Sequence, residues 1–559
     1  MTTTDSIFTS VEAVRDRARD ALERRFGIDR RGLAAFRIAL GSILLFDVAH
    51  RSRAVVAFYT DDGVLPRTLL FDQSAVGRYS IHALSGELWV QGILFGCAAI
   101  LAVAVLAGYR TKTATILSLF LLLSVQFRNP FALNAADRLL RVLVLLGVFV
   151  PLGERWGIDA LCDADGNADL ERKEGPSART KTSARTEAEA RSGPSTQSES
   201  ETRITTPATA AILVSIVVVF ADNALLKAVG ETWHNGEALR YALRQDHLTI
   251  LLGDVIANYP IALEIGTYVW TGLVSGAPFM LLLTGRLRTA YVSAFLIAVT
   301  GMALSMAVGL FPPVLAAAFI LFLPPRVWDA VERATTRTID RVVLLERFEA
   351  ACRGGVDRLP RPQPVGSLLS DPTRGRLRRC WSLVLTAVLT VVILWSVALL
   401  GTAASLEPVD ALEPVDALEP GDHRWRMFAP DPSTSDGWYL VTAHVDEGED
   451  FAVLREGDSA ADRLPDPSES VPSFRWRKYT SSTFDDSEPA GERATRFAAY
   501  MCERARSQTD VPVETVTVTY TEQRIVLEGE APPPKTVEVV ERSCSNDRNA
   551  ELRVVPTVG

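Results

Sequence analysis

Ala208–Glu237 reads ATAAILVSIVVVFADNALLKAVGETWHNGE. Its first part is apolar over a length that crosses a hydrocarbon core of ~30 Å, which predicts a transmembrane helix near Ala208–Val229. Its last part gathers Asp222, Asn223, Lys227, Trp233 and Glu237 at one end of that helix. Ionisable groups are costly at membrane depth, so their presence there points to function. Lysine is scarce in this chain, and an arginine holds its proton where a desolvated lysine can release it. Lys227 is therefore the residue type a membrane-embedded base requires. The structural alternative is a lysine that snorkels to the interface and anchors the helix end.

Similar apolar runs recur on both sides. The chain has 559 residues, a mean hydropathy of +0.15 and 22% charged residues, a combination that needs charge and apolarity to be segregated along the sequence. Further spans are expected near Leu33–Ala49, Leu88–Gly108, Thr113–Phe127, Leu139–Leu152, Ile261–Leu283, Ala290–Gly309, Pro312–Leu323 and Trp381–Leu400. The expected fold is an all-α polytopic membrane bundle of about nine transmembrane helices with a C-terminal extracytoplasmic β-rich or α+β domain.

The boundaries follow from composition. Residues 1–32 form an arginine-rich amphipathic arm without a secretory signal. Residues 33–324 form the transmembrane domain, interrupted at 165–206 by a Ser/Thr/Arg/Glu-rich linker expected to be disordered. An arginine-rich segment spans 325–379, the last helix 380–402 and a proline-rich spacer 403–420. In 421–559, WYLVTAHV, VETVTVTYTEQRIVLEG and KTVEVVE alternate with the period of strands, and ATRFAAYMCERAR has helical spacing. With nine spans, the arginine-rich loops share one side. That predicts a cell-membrane protein with its N-terminus in the cytoplasm and its C-terminal domain outside.

A net charge of −9 argues against nucleic-acid binding. Abundant Asp, Glu and Arg with little Lys fits a haloarchaeal, high-salt composition, and an ordinary acidic actinobacterial protein is the alternative reading. Six cysteines form no CxxC pair, and no metal site is expected. Cys502 and Cys544, alone in the C-terminal domain, would face an oxidising exterior, which leaves a disulfide and two buried thiols both open.

Four polar places fall at the expected outer leaflet: Asp47 with His50; Arg128, Asn129 and Asp137; Asp222, Asn223 and Lys227 followed by Thr232–Glu237; and RWRMFAPDP, Arg424–Pro432. A single site opening outward would use all four.

Several stretches resemble the HTTM (horizontally transferred transmembrane) family, whose members include the vitamin K-dependent γ-carboxylases. They are Phe36–Leu70, Arg128–Asp159, Asn223–Leu243 and Arg424–Pro432 with the following DGWY. In those carboxylases a lysine in AG-x-K-K-x(3–4)-W-x-x-G deprotonates a reduced naphthoquinone, and Lys227, Trp233 and Gly236 match that form within a one-residue gap. The resemblance implies Lys227 as catalytic base. It also implies a substrate site drawing on Asp47, Arg128, Asn129, Asp137, Asn223, Trp233, Gly236 and Glu237, with a menaquinol-like cofactor. This chain departs from the carboxylases in its single lysine, in having no histidine at Ala136–Asp137 and in its shorter outer region. The alternative reading is a non-catalytic membrane protein that exports or matures a secreted peptide, as for members related to the sporulation-delaying peptide system. A secondary transporter is disfavoured, because no internal repeat of spans is visible.

Overall fold

The computed structural model describes residues 4–162, 202–339, 427–455, 470–484, 491–544 and 552–554. The chain is mostly helical, and its C-terminal region carries a sheet. Four helices among the described residues are long and apolar enough to cross a membrane: Arg30–Ser52, Leu88–Ala107, Pro207–Lys227 and Gly285–Ser305. A fifth results if Phe311–Ile320 and Pro325–Thr335, bent by 104°, count as one span. The remaining expected spans in this part are shorter. Thr111–Arg128 has 18 residues, Pro260–Ser275 has 16 and Ala135–Gly147 only 13. At a rise of 1.5 Å per residue, the last of these reaches ~20 Å. The expected ninth span, Trp381–Leu400, lies outside the described residues, as does the proline-rich spacer.

Pro207–Lys227 is central, with 61% of its apolar window buried, whereas Leu88–Ala107 and Gly285–Ser305 are each 22% buried and turn most of their side chains outward. Local chemistry starts the central helix. The Thr206 hydroxyl accepts from Thr209 N, and Pro207 occupies the first turn, where its missing N–H costs nothing. Ile212, Leu213, Ile216 and Phe220 then enter the main core, against Phe295 and Phe319.

The end of the expected linker is ordered. Arg203–Ile204 (β2) pairs antiparallel with Ile28–Asp29 (β1), which follows the N-terminal helix Thr4–Phe26. The pairing gathers basic segments at one end of the bundle. Arg288 Nη1 donates to Arg25 O at 3.0 Å, and Arg203 Nη1 donates to Arg24 O at 3.3 Å.

The opposite end carries the sheet. Its five antiparallel strands run in the order β4-β3-β5-β6-β7, with β3 Ser435–Val445, β4 Phe451–Ala452, β5 Val513–Arg524, β6 Lys535–Ser543 and β7 Leu552–Val554. The alternating runs read from sequence are β3, β5 and β6, and the helical run is Glu492–Arg506. Cys502 on that helix is disulfide-bonded to Cys544 just beyond β6. Helix Phe474–Phe484 completes the layer and seats it on the bundle. Phe58 from the loop after the first span packs on Trp476 at 4.6 Å and on Tyr479 at 5.7 Å between ring centroids. Loop and sheet domain thus share one apolar cluster.

Candidate functional site

The four polar places assemble as two clusters rather than one site. The first unites Asp47 and Asp137 through two arginines. Arg51, one turn after Asp47 on the same helix, donates to Asp47 Oδ2 at 2.8 Å, to the Tyr59 hydroxyl at 2.9 Å and to Asp137 Oδ1. Arg475, from the sheet domain, donates to Asp47 Oδ1 at 2.7 Å, to Asp137 Oδ1 at 3.1 Å and to Ala132 O at 3.3 Å. Asp137 also accepts from Asn134 N at 3.0 Å, closing the capping box that starts helix Ala135–Gly147. Two carboxylates and two guanidiniums balance, and all four side chains are at most 3% exposed. Buried charge is tolerated only when paired and hydrogen-bonded in this way. The cluster therefore ties the sheet domain to the bundle.

Arg128 and Asn129 belong to the neighbouring loop. Arg128 donates to Leu65 O at 2.8 Å and to Thr60 O at 3.1 Å, and Asn129 Nδ2 donates to Phe58 O at 3.3 Å. The sheet domain holds the same loop from its other side. Arg496 Nε donates to Gly63 O at 2.8 Å, and the Tyr479 hydroxyl donates to Val64 O at 2.9 Å. Burial pushes the Tyr479 phenol well above its usual range, which keeps it a donor. Loop carbonyls drawn out of water need such partners.

The second cluster is built on Lys227, the last residue of its helix and only 3% exposed. Its Nζ stands 3.2 Å from the centroid of the Trp233 ring, a cation–π arrangement, and no ion pair reaches it among the described residues. The snorkelling alternative is thus not the geometry found. The Trp233 indole N–H donates to Phe428 O at 2.9 Å, and Asn223 Nδ2 donates to Met427 O at 3.4 Å. Asp431 accepts from Glu231 N at 3.1 Å, from Thr232 N at 2.8 Å and from the Thr232 hydroxyl. A carboxylate here answers the unpaired N–H groups of the short helix Glu231–His234. Met427–Asp431, within the described part of the RWRMFAPDP stretch, therefore closes over Lys227 and Trp233.

Glycine is needed twice in this cap. A Cβ at Gly230 would lie 2.0 Å from Pro430 O, and Gly236 has φ +77°, a left-handed conformation. Glu237 is half-buried and its N–H donates to Thr232 O at 2.9 Å. His234 Nδ1 lies 2.6 Å from Gly230 O. His247 bonds Asp436, the Asp of the DGWY stretch, and Arg477 donates to His247 O at 2.8 Å and to Ala307 O at 3.0 Å.

Sequence reasoning missed Arg51, Arg475 and Arg477. Arg51 carried a signal: it follows Asp47 by one helical turn, the spacing of an ion pair. No protein-family model, no curated protein and no solved structure matches the chain.

Proposed function

We propose that this chain is an integral membrane protein of the HTTM type whose Lys227 centre faces the exterior and takes a proton from a quinol or similar lipid-like acid. The observation that carries the reading is a buried amine held against an indole face, with no carboxylate paired to it among the described residues. A lysine that only anchored the helix end would reach water or a counter-ion. Lys227 is closed off from water and makes no ion pair among the described residues, although the Asp431 carboxylate of the cap acts on its amine through space.

Two features support the orientation. The basic arm and basic loops lie together at one end of the bundle, as expected of a cytoplasmic face. The sheet domain at the other end carries a disulfide, as expected of an oxidising exterior.

A reduced naphthoquinone, menaquinol-like, would supply an acidic hydroxyl and reducing electrons; with the Trp233 indole N–H committed to Phe428 O, the Lys227 amine is the group that would meet that hydroxyl. Lys227 and Trp233 would hold it, beside Asn223, Gly236 and Glu237. The chemistry assigned to Lys227 is a single proton transfer. Its nitrogen lone pair forms the new N–H bond as the acid's O–H bond breaks, and the resulting ammonium rests on the Trp233 face. The Met427–Asp431 cap keeps water from the amine while that charge is present. In this reading the Asp47–Arg51–Asp137–Arg475 cluster positions the domain that supplies the cap.

The test is extraction and mass spectrometry of lipids from purified full-length protein, together with oxygen uptake on adding reduced naphthoquinone. Co-purifying quinone and quinol-dependent uptake are expected. Folded protein that yields neither contradicts the proposal and favours peptide export or maturation.

A further inference from the structure

A separate cleft of about 590 Å³ lies between the end of the Arg30–Ser52 helix and the sheet domain. It is within the size range of small-molecule sites. His50, Arg53, Arg455, Trp476, Tyr500 and Arg504 line it, and its described lining contains no carboxylate. Neighbouring acids are engaged elsewhere: Asp47 by Arg51 and Arg475, and Glu503 by Arg496 at 3.5 Å. Arg53 taken alone would be a cation favoured at a helix C-terminus. Arg455 and Arg504 come from the sheet domain, yet they line the same space.

The side toward the bundle is apolar. Phe46, 61% exposed, lies one turn before His50 on the membrane-length helix. The Phe46, His50 and Phe474 rings stack in sequence, with centroids 6.2 Å and 5.3 Å apart and planes within 6°. Val56, on the cleft wall, is also exposed. The cleft therefore joins an exposed aromatic strip on a membrane-length helix to guanidinium groups at that helix's end.

We propose that this cleft binds the phosphate headgroup of an anionic phospholipid, with its acyl chains along Phe46 and its phosphate between Arg53 and Arg504. Guanidinium groups match phosphate oxygens in planar pairs, and Tyr500 and His50 add neutral donors. The aromatic strip is what distinguishes a lipid from a free anion, which would gain nothing from Phe46.

The test is native mass spectrometry of the full chain in detergent, with phosphatidylglycerol and phosphatidylcholine of identical acyl chains in competition. Preferential retention of phosphatidylglycerol is expected. Arg53→Gln should cut that preference about fivefold, the effect of one arginine near a lipid surface, while Arg53→Lys keeps most of it. Arg53 is exposed, its one hydrogen bond among the described residues is from its backbone N–H to Arg51 O, and its side chain makes none, so substituting that side chain leaves the fold intact, which unchanged melting will verify. Equal retention of the two lipids, or an unchanged preference in Arg53→Gln, overturns the proposal. Displacement of phosphatidylglycerol by equimolar inorganic phosphate, or by a hexaglutamate peptide, also overturns it, assigning the cleft to a free anion or to an acidic chain.

Discussion

Replacing Arg475 by methionine tests how the sheet domain is held. Arg475 neutralises one of two buried carboxylates and donates to Asp47 Oδ1 at 2.7 Å, Asp137 Oδ1 at 3.1 Å and Ala132 O at 3.3 Å. Arg475→Met leaves Asp47 and Asp137 sharing Arg51, with one uncompensated negative charge. Removing one partner of a buried pair costs about 3–5 kcal/mol, and the isolated carboxylate is the main part of that cost. A second substitution should therefore relieve it. Asp47→Asn in the Arg475→Met background restores charge balance as Arg51 with Asp137, and leaves the Asn134 capping box untouched. It should recover about half the loss, a coupling of about 2 kcal/mol, within the range for residues in one network. Denaturant titration in a fixed detergent, followed by tryptophan fluorescence, measures all three variants. A loss under about 1 kcal/mol for Arg475→Met, or a double variant no better than the single one, refutes the reasoning.

Three further outcomes are expected. Burial, with Arg51 and Arg128 nearby, pushes His82 down to about 3. Its folded pKa lies below the unfolded value of about 6.5, so stability is complete above 6.5 and falls toward pH 3. The loss between pH 7.5 and 5 is about 2 kcal/mol, and His82→Asn should remove that part of the slope in pH-dependent melts. The Cys502–Cys544 disulfide closes a loop with a sequence separation of 42. Its loss in Cys502→Ala/Cys544→Ala should cost the sheet domain about 4 kcal/mol on the chain-entropy account, read by denaturant titration. Single cysteines at Ser192 and Ala411, in a background without native free thiols, should differ in intact cells. Only the one at Ala411 should react with an impermeant thiol reagent, and equal labelling would remove the assigned topology.

The legible parts of the fold were those with local causes. The apolar runs near Leu33–Ala49, Leu88–Gly108, Ala208–Val229 and Ala290–Gly309 correspond to the four membrane-length helices, because hydrophobic length alone dictates them. Strands β3, β5 and β6 were visible through their two-residue period. The run near Leu139–Leu152 became the 13-residue helix Ala135–Gly147, since hydropathy marks burial and cannot tell lipid from a protein core. The polar clusters were legible as residues but not as partnerships. Asp47 and Asp137 stood out as acids at membrane depth, whereas Arg475 lies 338 residues beyond Asp137, in a helix of mixed composition with no span to flag it. The same distance effect hid Asp431, whose role depends on reaching N–H groups 199 and 200 residues away. Lys227 stood out in the sequence because a rare residue type interrupted an apolar run.

The most direct test of the central claim is quinol-dependent oxygen uptake by Lys227→Arg. Arginine keeps the positive charge and can stand over the Trp233 ring, but it does not release its proton in proteins. The account predicts a folded variant, with wild-type melting and an intact disulfide, whose activity has fallen by at least about 100-fold, the scale of losing a general base. Retention of activity by Lys227→Arg would contradict it.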